Sequence, residues 1–296
     1  MNKKGPRVPR AASGGAGLRP AGAAAGEGRA TVRVRAPATT ANLGPGFDCA
    51  AAALDLWNEL VVTEGGEPER EHLGVRAFSL LADPSGLDFE FTIRIPRERG
   101  LGSSASIIAL GLAAASDGPI DAERLLSLGL PLEGHADNLA AALAGGVCLT
   151  WEGRIARVAD TLPFTPIAVV PESRVLTAEA RASLPEQIPH RVGAVTATRA
   201  ALLGAGIAKQ DPELFVAALQ DELHEPYRAA NAPVLEDVRA ELPTGAVGAT
   251  ISGSGPTVIV WAHNHQVDAC THELRAQFSD AEVMPLRVSP AGVQRG

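Results

Sequence analysis

The chain has 296 residues, 46% of them hydrophobic and 20% charged, with a formal net charge of −8. No apolar run approaches the roughly 20 residues a membrane-crossing helix needs, and three scattered cysteines (Cys49, Cys148, Cys270) suit a reduced compartment better than a disulfide framework or a zinc knuckle. Residues 1–30 carry six basic side chains against Glu27 alone, a tail of +5 that leaves −13 on the body and argues against a nucleic-acid groove, which needs a basic stripe.

The tail is rich in Gly, Ala, Pro and Arg and reads as disordered, because it cannot build a core. It also lacks the apolar segment of a secretory signal. Order begins at TVRVRAP (31–37), whose alternation predicts a strand with Val32 and Val34 on one face. ATTANLGPGFD follows as an unusual loop and leads into an apolar stretch ending near Val62. The spacing predicts a helix over 73–82 and a strand over 87–96 that runs through IRIP (93–96). Helices follow over 103–115 and in DAERLLSLGL, then a short one closed by Gly145 and Gly146 before a strand. Further on, PIAVVP reads as a strand, VGAVTATRAALLGAGI as a helix and PELFVAALQDELHEPYR as one more amphipathic segment. GAVGATISGSGPTVIVWAH reads as strand, glycine-rich turn, strand. The pattern is α+β in two units, 31–163 and 164–290, with the boundary between 160 and 166.

RGLGSSA (99–105) packs Gly100, Gly102, Ser103 and Ser104 in front of an apolar helix. A strand, a glycine-rich bend and a helix start make a row of backbone N–H groups reinforced by the helix dipole, which suits an anion. This is not a P-loop, since no Gly-Lys-Ser/Thr follows, and the third glycine of a dinucleotide fingerprint is missing. No G-x-S-x-G elbow supports a serine hydrolase. Alone, the motif could be a tight turn with a cap. Three other clusters accompany it. PATTANLGPGFD (37–48) places Asn42 and Asp48 around Gly44-Pro45-Gly46. EGHADN (133–138) gathers Glu133, His135, Asp137 and Asn138. SGSGPT (252–257) holds more glycine than a hairpin needs. Each could be an ordinary turn or solvated loop; four together point to one shared pocket.

In this order the motifs resemble those of the GHMP small-molecule kinases over about residues 31–285, and in particular the branch acting on L-homoserine. The resemblance implies a GHMP kinase fold: an N-terminal domain like ribosomal protein S5 domain 2, packed on a ferredoxin-like C-terminal domain. It implies ATP and Mg²⁺ as cofactors, with phosphates against Arg99, Gly100, Leu101, Gly102, Ser103, Ser104 and Ala105. Mg²⁺ would lie on Glu133 and Ser104, with Ser103 as the alternative to Ser104. L-homoserine would meet Asn42, Asp48 (for its ammonium), His135, Asn138, and Arg199 and Arg228 (for its carboxylate). By chemistry alone Asp137 is the candidate general base; the alternative for this branch is that positioning suffices. A cytoplasmic homodimer with no nucleic-acid or membrane partner is implied too. Ala136 replaces the usual proline of the third cluster, and His72 replaces an asparagine common near the adenine. The alternatives are a kinase for another small alcohol such as mevalonate, and a non-catalytic ligand sensor on the same fold.

Overall fold

The computed structural model describes residues 31–296, so the expected disorder of the basic tail, 1–30, lies outside the described residues. Two antiparallel sheets dominate. The first contains β1 (Thr31–Asn42), β2 (Gly46–Glu64), β3 (Leu87–Thr92), β4 (Val147–Trp151), β5 (Arg154–Ala159) and the short β10 (Gln294–Arg295). Its order is β10-β1-β2-β4-β5, with β3 also on the long β2. The second has the order β7-β8-β6-β9, from β6 (Thr165–Pro171), β7 (Ala246–Ile251), β8 (Val258–Ala262) and β9 (Ala281–Pro285). Residues 160–164 join the sheets, and β10 carries the chain's end back to β1.

Helices α1 (Leu73–Phe78), α2 (Ser103–Ala115), α3 (Ala122–Glu133) and α4 (Ala136–Ala144) share a core with the first sheet. The alanines explain how closely they sit. Ala36, Ala38, Ala41 and Ala50 to Ala53 are completely buried, and their small side chains leave room for helices against the sheet. α2 is apolar all round and correspondingly buried. The second sheet alternates cleanly. Ile167, Val169, Val258 and Val260 pack with α9 (Val234–Ala240) and α10 (Val267–Gln277). Ala168, Val170, Ile259 and Trp261 face the core shared with the first sheet, α6 (His190–Lys209) and α7 (Pro212–Ala218). With α5 (Thr177–Ala182) and α8 (Glu225–Arg228), the unit reads strand, helices, two strands, helix, strand, which is the ferredoxin-like arrangement. Among the described residues no helix is long and apolar enough to cross a membrane.

Three local expectations are corrected. ATTAN is not loop but the end of β1, paired through Ala41↔Ala51 after a register shift at Pro37/Ala38, so the turn shrinks to residues 43–45. The strand over 87–96 stops at Thr92. Buried Asn58 ends it: its Oδ1 accepts the N–H groups of Arg94 and Ile95 at 2.8 and 3.0 Å, replacing the ladder and turning the chain. PELFVAALQDELHEPYR splits into α7 and α8. Asp221 Oδ2 accepts the N–H groups of Leu223, His224 and Glu225 at 3.0, 2.6 and 2.9 Å, a side-chain turn that separates α7 from α8.

Candidate active site

The four motif loops meet around one cavity of about 310 Å³, lined among others by Asp48, Gly102, Glu133, Asp137, Arg228 and Gly253. Backbone contacts staple the loops together. The Gly253 N–H donates to the Ala41 carbonyl at 3.1 Å, and Ser252 Oγ to the Gly100 carbonyl at 2.7 Å. Asn42, 3% exposed, donates through Nδ2 to the Gly253 carbonyl at 2.8 Å and accepts the Asp48 N–H at 3.1 Å. Gly100 has a φ of +79°, and a Cβ there would lie 2.2 Å from the Ser252 carbonyl oxygen. Only glycine lets these two loops close.

One end of the cavity is the start of α2. Its N-cap is Gly102, in a left-handed conformation and with no side chain to occupy the first-turn N–H groups. Gly102, Ser103 and Ser104 all line the cavity, so dipole and donors converge there. Leu101 and Ala105 are fully buried and contribute backbone alone. The Arg99 guanidinium turns towards the second sheet, donating to the carbonyls of Pro171 and Glu172 at 2.8 and 2.6 Å. The two serines separate: Ser103 Oγ donates to the Ile95 carbonyl at 3.4 Å, whereas Ser104 Oγ donates to Glu133 Oε1 at 3.0 Å.

Burial pushes the Glu133 carboxyl up to about 7, opposed by the Ser104 hydrogen bond and helped by Asp137 nearby. A carboxylate so placed, paired with a hydroxyl and with no cationic partner among the described residues, suits a divalent cation. Among the described residues no cluster of three or more His, Cys, Asp or Glu could hold a metal.

Asp137 is 3% exposed, and burial pushes its carboxyl up to about 6. It accepts the Asn138 N–H at 2.7 Å. Thr39, which the motif contained but spacing did not single out, donates its hydroxyl to Asn138 Oδ1 at 2.6 Å. That bond orients the amide and leaves Nδ2 3.4 Å from Asp137 Oδ1. His135 lines the same wall, its pKa lowered by burial and then by Arg181. Because the raised Asp137 pKa means the protonated form is favoured in the fold, stability falls as pH rises from about 4 to about 6 and stays reduced above. The ionised group costs on the order of 2–3 kcal/mol there. Asp137→Asn is therefore expected to raise the Tm at pH 8 by several degrees while lowering turnover. Thermal denaturation at pH 8 and pH 4 checks this, and a variant no more stable at pH 8 than wild type would show the carboxylate to be well solvated.

The opposite end is cationic. Arg228 is 3% exposed; its Nη1 donates to the Gly253 carbonyl at 3.0 Å and its Nε to the Ala180 carbonyl at 3.4 Å. Arg199 does not join it. It is not among the cavity-lining residues, and its guanidinium is held by Glu222 at 3.3 Å and Gln220 at 3.2 Å. Arg181 of α5 takes that place, with Nη2 2.7 and 2.8 Å from the two oxygens of Asp48. Nothing in RVLTAEARASL marks this arginine in the sequence. Both arginines lie over the Phe47 ring, at 5.5 Å for Arg181 and 5.1 Å for Arg228. His72 caps α1, accepting the Gly74 N–H at 3.2 Å, and packs on Phe91.

An uncapped helix start, a carboxylate–hydroxyl pair and two arginines thus share one cavity. The GHMP kinases N terminal domain matches residues 70–146, and the GHMP kinases C terminal family matches residues 202–280. A homoserine kinase of Streptomyces avermitilis is 41% identical over 269 residues, covering 81% of this chain and 88% of that one. A homoserine kinase of Gloeobacter violaceus is 37% identical over 279 residues, covering 84% and 93%. The chain belongs to the GHMP kinase family, and is an ATP-dependent small-molecule kinase. Its fold matches the crystal structure of a homoserine kinase from Cytophaga hutchinsonii with a TM-score of 0.78 at 24% identity, covering 93% of this chain and all of that one. A mevalonate kinase structure matches at 0.62 with 15% identity, covering 86% and 98%.

Proposed function

We propose that the protein transfers the γ-phosphoryl group of ATP to the side-chain hydroxyl of L-homoserine, giving O-phospho-L-homoserine for threonine biosynthesis. The observation that carries this reading is one carboxylate, Asp48, and two arginines, Arg181 paired with it and Arg228 nearby, lining the cavity that also receives the start of α2. A zwitterionic acceptor needs an anion for its ammonium and cations for its carboxylate. Asp48 supplies the first, and Arg228 with Arg181 supply the second.

The ATP phosphates rest on the N–H groups of residues 100–105, and the reaction asks the protein mainly for placement and charge stabilisation. Glu133 and Ser104 would hold Mg²⁺, which neutralises charge on the phosphates when bound. Asn138, oriented by Thr39, would position the acceptor hydroxyl, and Asp137 would take its proton. The homodimer and the cytoplasmic setting implied by the family resemblance belong to the same proposal. ADP release with Mg-ATP across homoserine, mevalonate, galactose and shikimate tests the reading. Homoserine should be turned over far faster than the others. Preference for mevalonate, which lacks the ammonium, would reassign the pocket, and no turnover with any alcohol would favour a sensor.

A further inference from the structure

We propose that His224, acting through Phe47, is the positioning residue that fixes the amino-acid half of the cavity; the proposal rests on the homoserine reading above. His224 does not line the cavity and is completely buried at the start of α8. Three contacts connect it to the residues that do. Its Nε2 lies 2.9 Å from the Gly44 carbonyl, so the neutral ring donates an N–H to the turn between β1 and β2. Near that turn stand Asn42 and Asp48, with φ of 72° and 55°. Two non-glycine residues in left-handed conformations need their surroundings to hold them, and the bond to Gly44 ties the turn to α8.

The second contact is with Phe47, whose ring stacks on His224 with centroids 4.9 Å apart and planes 24° from parallel. Phe47 is the same ring over which the guanidinium groups of Arg181 and Arg228 lie. The third is Asp221, which accepts the His224 N–H at 2.6 Å and so fixes the backbone that carries both His224 and Arg228. An ordinary core histidine would have its polar atoms paired, whereas His224 Nδ1 and Asp221 Oδ1 are buried with no partner among the described residues. Such orphans cost stability. A polar pair kept at that cost beside a binding pocket is the mark of a geometric demand. The ring therefore aligns Asp48, Arg181 and Arg228 on one substrate without touching it.

Two variants divide its work. His224→Gln keeps a donor for Gly44 but loses the ring, and His224→Phe keeps the ring but loses the donor. Each is expected to raise the KM for homoserine about tenfold while changing the KM for ATP less than twofold, since the phosphates rest on another loop. Phe47→Leu, with His224 intact, should reproduce the selective rise and serves if the histidine variants do not fold. In an Arg228→Leu background, His224→Gln should add much less than it does alone, because the two act on one contact. Both KM values rising together, or neither rising in folded variants, would assign His224 a purely structural role and overturn the proposal. Arg228→Leu measured in parallel separates the two readings. A large Arg228 effect with silent His224 and Phe47 variants removes the positioning role alone, and an unchanged homoserine KM in Arg228→Leu removes the carboxylate role given to Arg228 and this proposal with it.

Discussion

Replacing Arg228 with leucine is expected to lower kcat/KM for homoserine by roughly 30- to several-thousand-fold. The figure follows from stranding a substrate carboxylate in a desolvated pocket, which costs on the order of 2–5 kcal/mol, at about 1.4 kcal/mol per decade. Arg228 is buried, and burial followed by repulsion from Arg181 lowers its pKa, so the site holds two like charges that a substrate carboxylate would relieve. The KM for ATP should hardly move. Arg228→Lys should recover part of the loss, because lysine lacks the planar fork that grips both carboxylate oxygens. Steady-state kinetics with both substrates varied, together with a Tm, check this. Normal turnover of homoserine by a folded Arg228→Leu protein would leave Arg181 as the carboxylate partner and refute the role given to Arg228.

Glu133→Gln should lower turnover roughly ten- to a hundredfold, the worth of about 1.5–3 kcal/mol for a contact to a charged group. Glutamine keeps the shape and can still accept from Ser104, so the loss isolates the charge. Homoserine affinity should stay near the wild-type value, since Asp48 and the arginines are untouched. The pH dependence carries a sign. Burial places the free carboxyl near 7, and only its ionised form holds a cation, so the Mg²⁺ requirement of the wild type should grow as pH falls from 8 to 6. In Glu133→Gln that trend should flatten. Unchanged turnover at saturating Mg-ATP would remove Glu133 as a metal ligand.

These two side chains differ in how far the sequence reveals them. Glu133 stands within six residues of His135, Asp137 and Asn138, so one loop delivers them together. The start of α2 is equally local, because a glycine N-cap before an apolar helix exposes the first-turn N–H groups whatever packs around it. The alternation of β6 and β8 and the apolar girth of α2 likewise determined sheet and helix, since burial on a given face needs only the right period. By itself the sequence thus determined the α+β class, the glycine-rich helix start and the acidic loop.

Tertiary structure decided the rest. That β1 runs on to Asn42 depends on β2 lying beside it, and that β3 stops at Thr92 depends on Asn58 of β2 reaching across 36 and 37 positions to two N–H groups. The choice of Ser104 over Ser103 depends on which hydroxyl faces Glu133, 29 residues away. Most of all, the cationic partner of Asp48 is Arg181, 133 residues distant on a six-residue helix, while Arg199 pairs with Glu222 instead. Arginines on exposed helix faces look alike in a sequence, because local periodicity reports only the path of the backbone. Which guanidinium reaches which carboxylate is fixed by how the two sheets pack, and that packing also supplies the burial that raises Glu133 and Asp137.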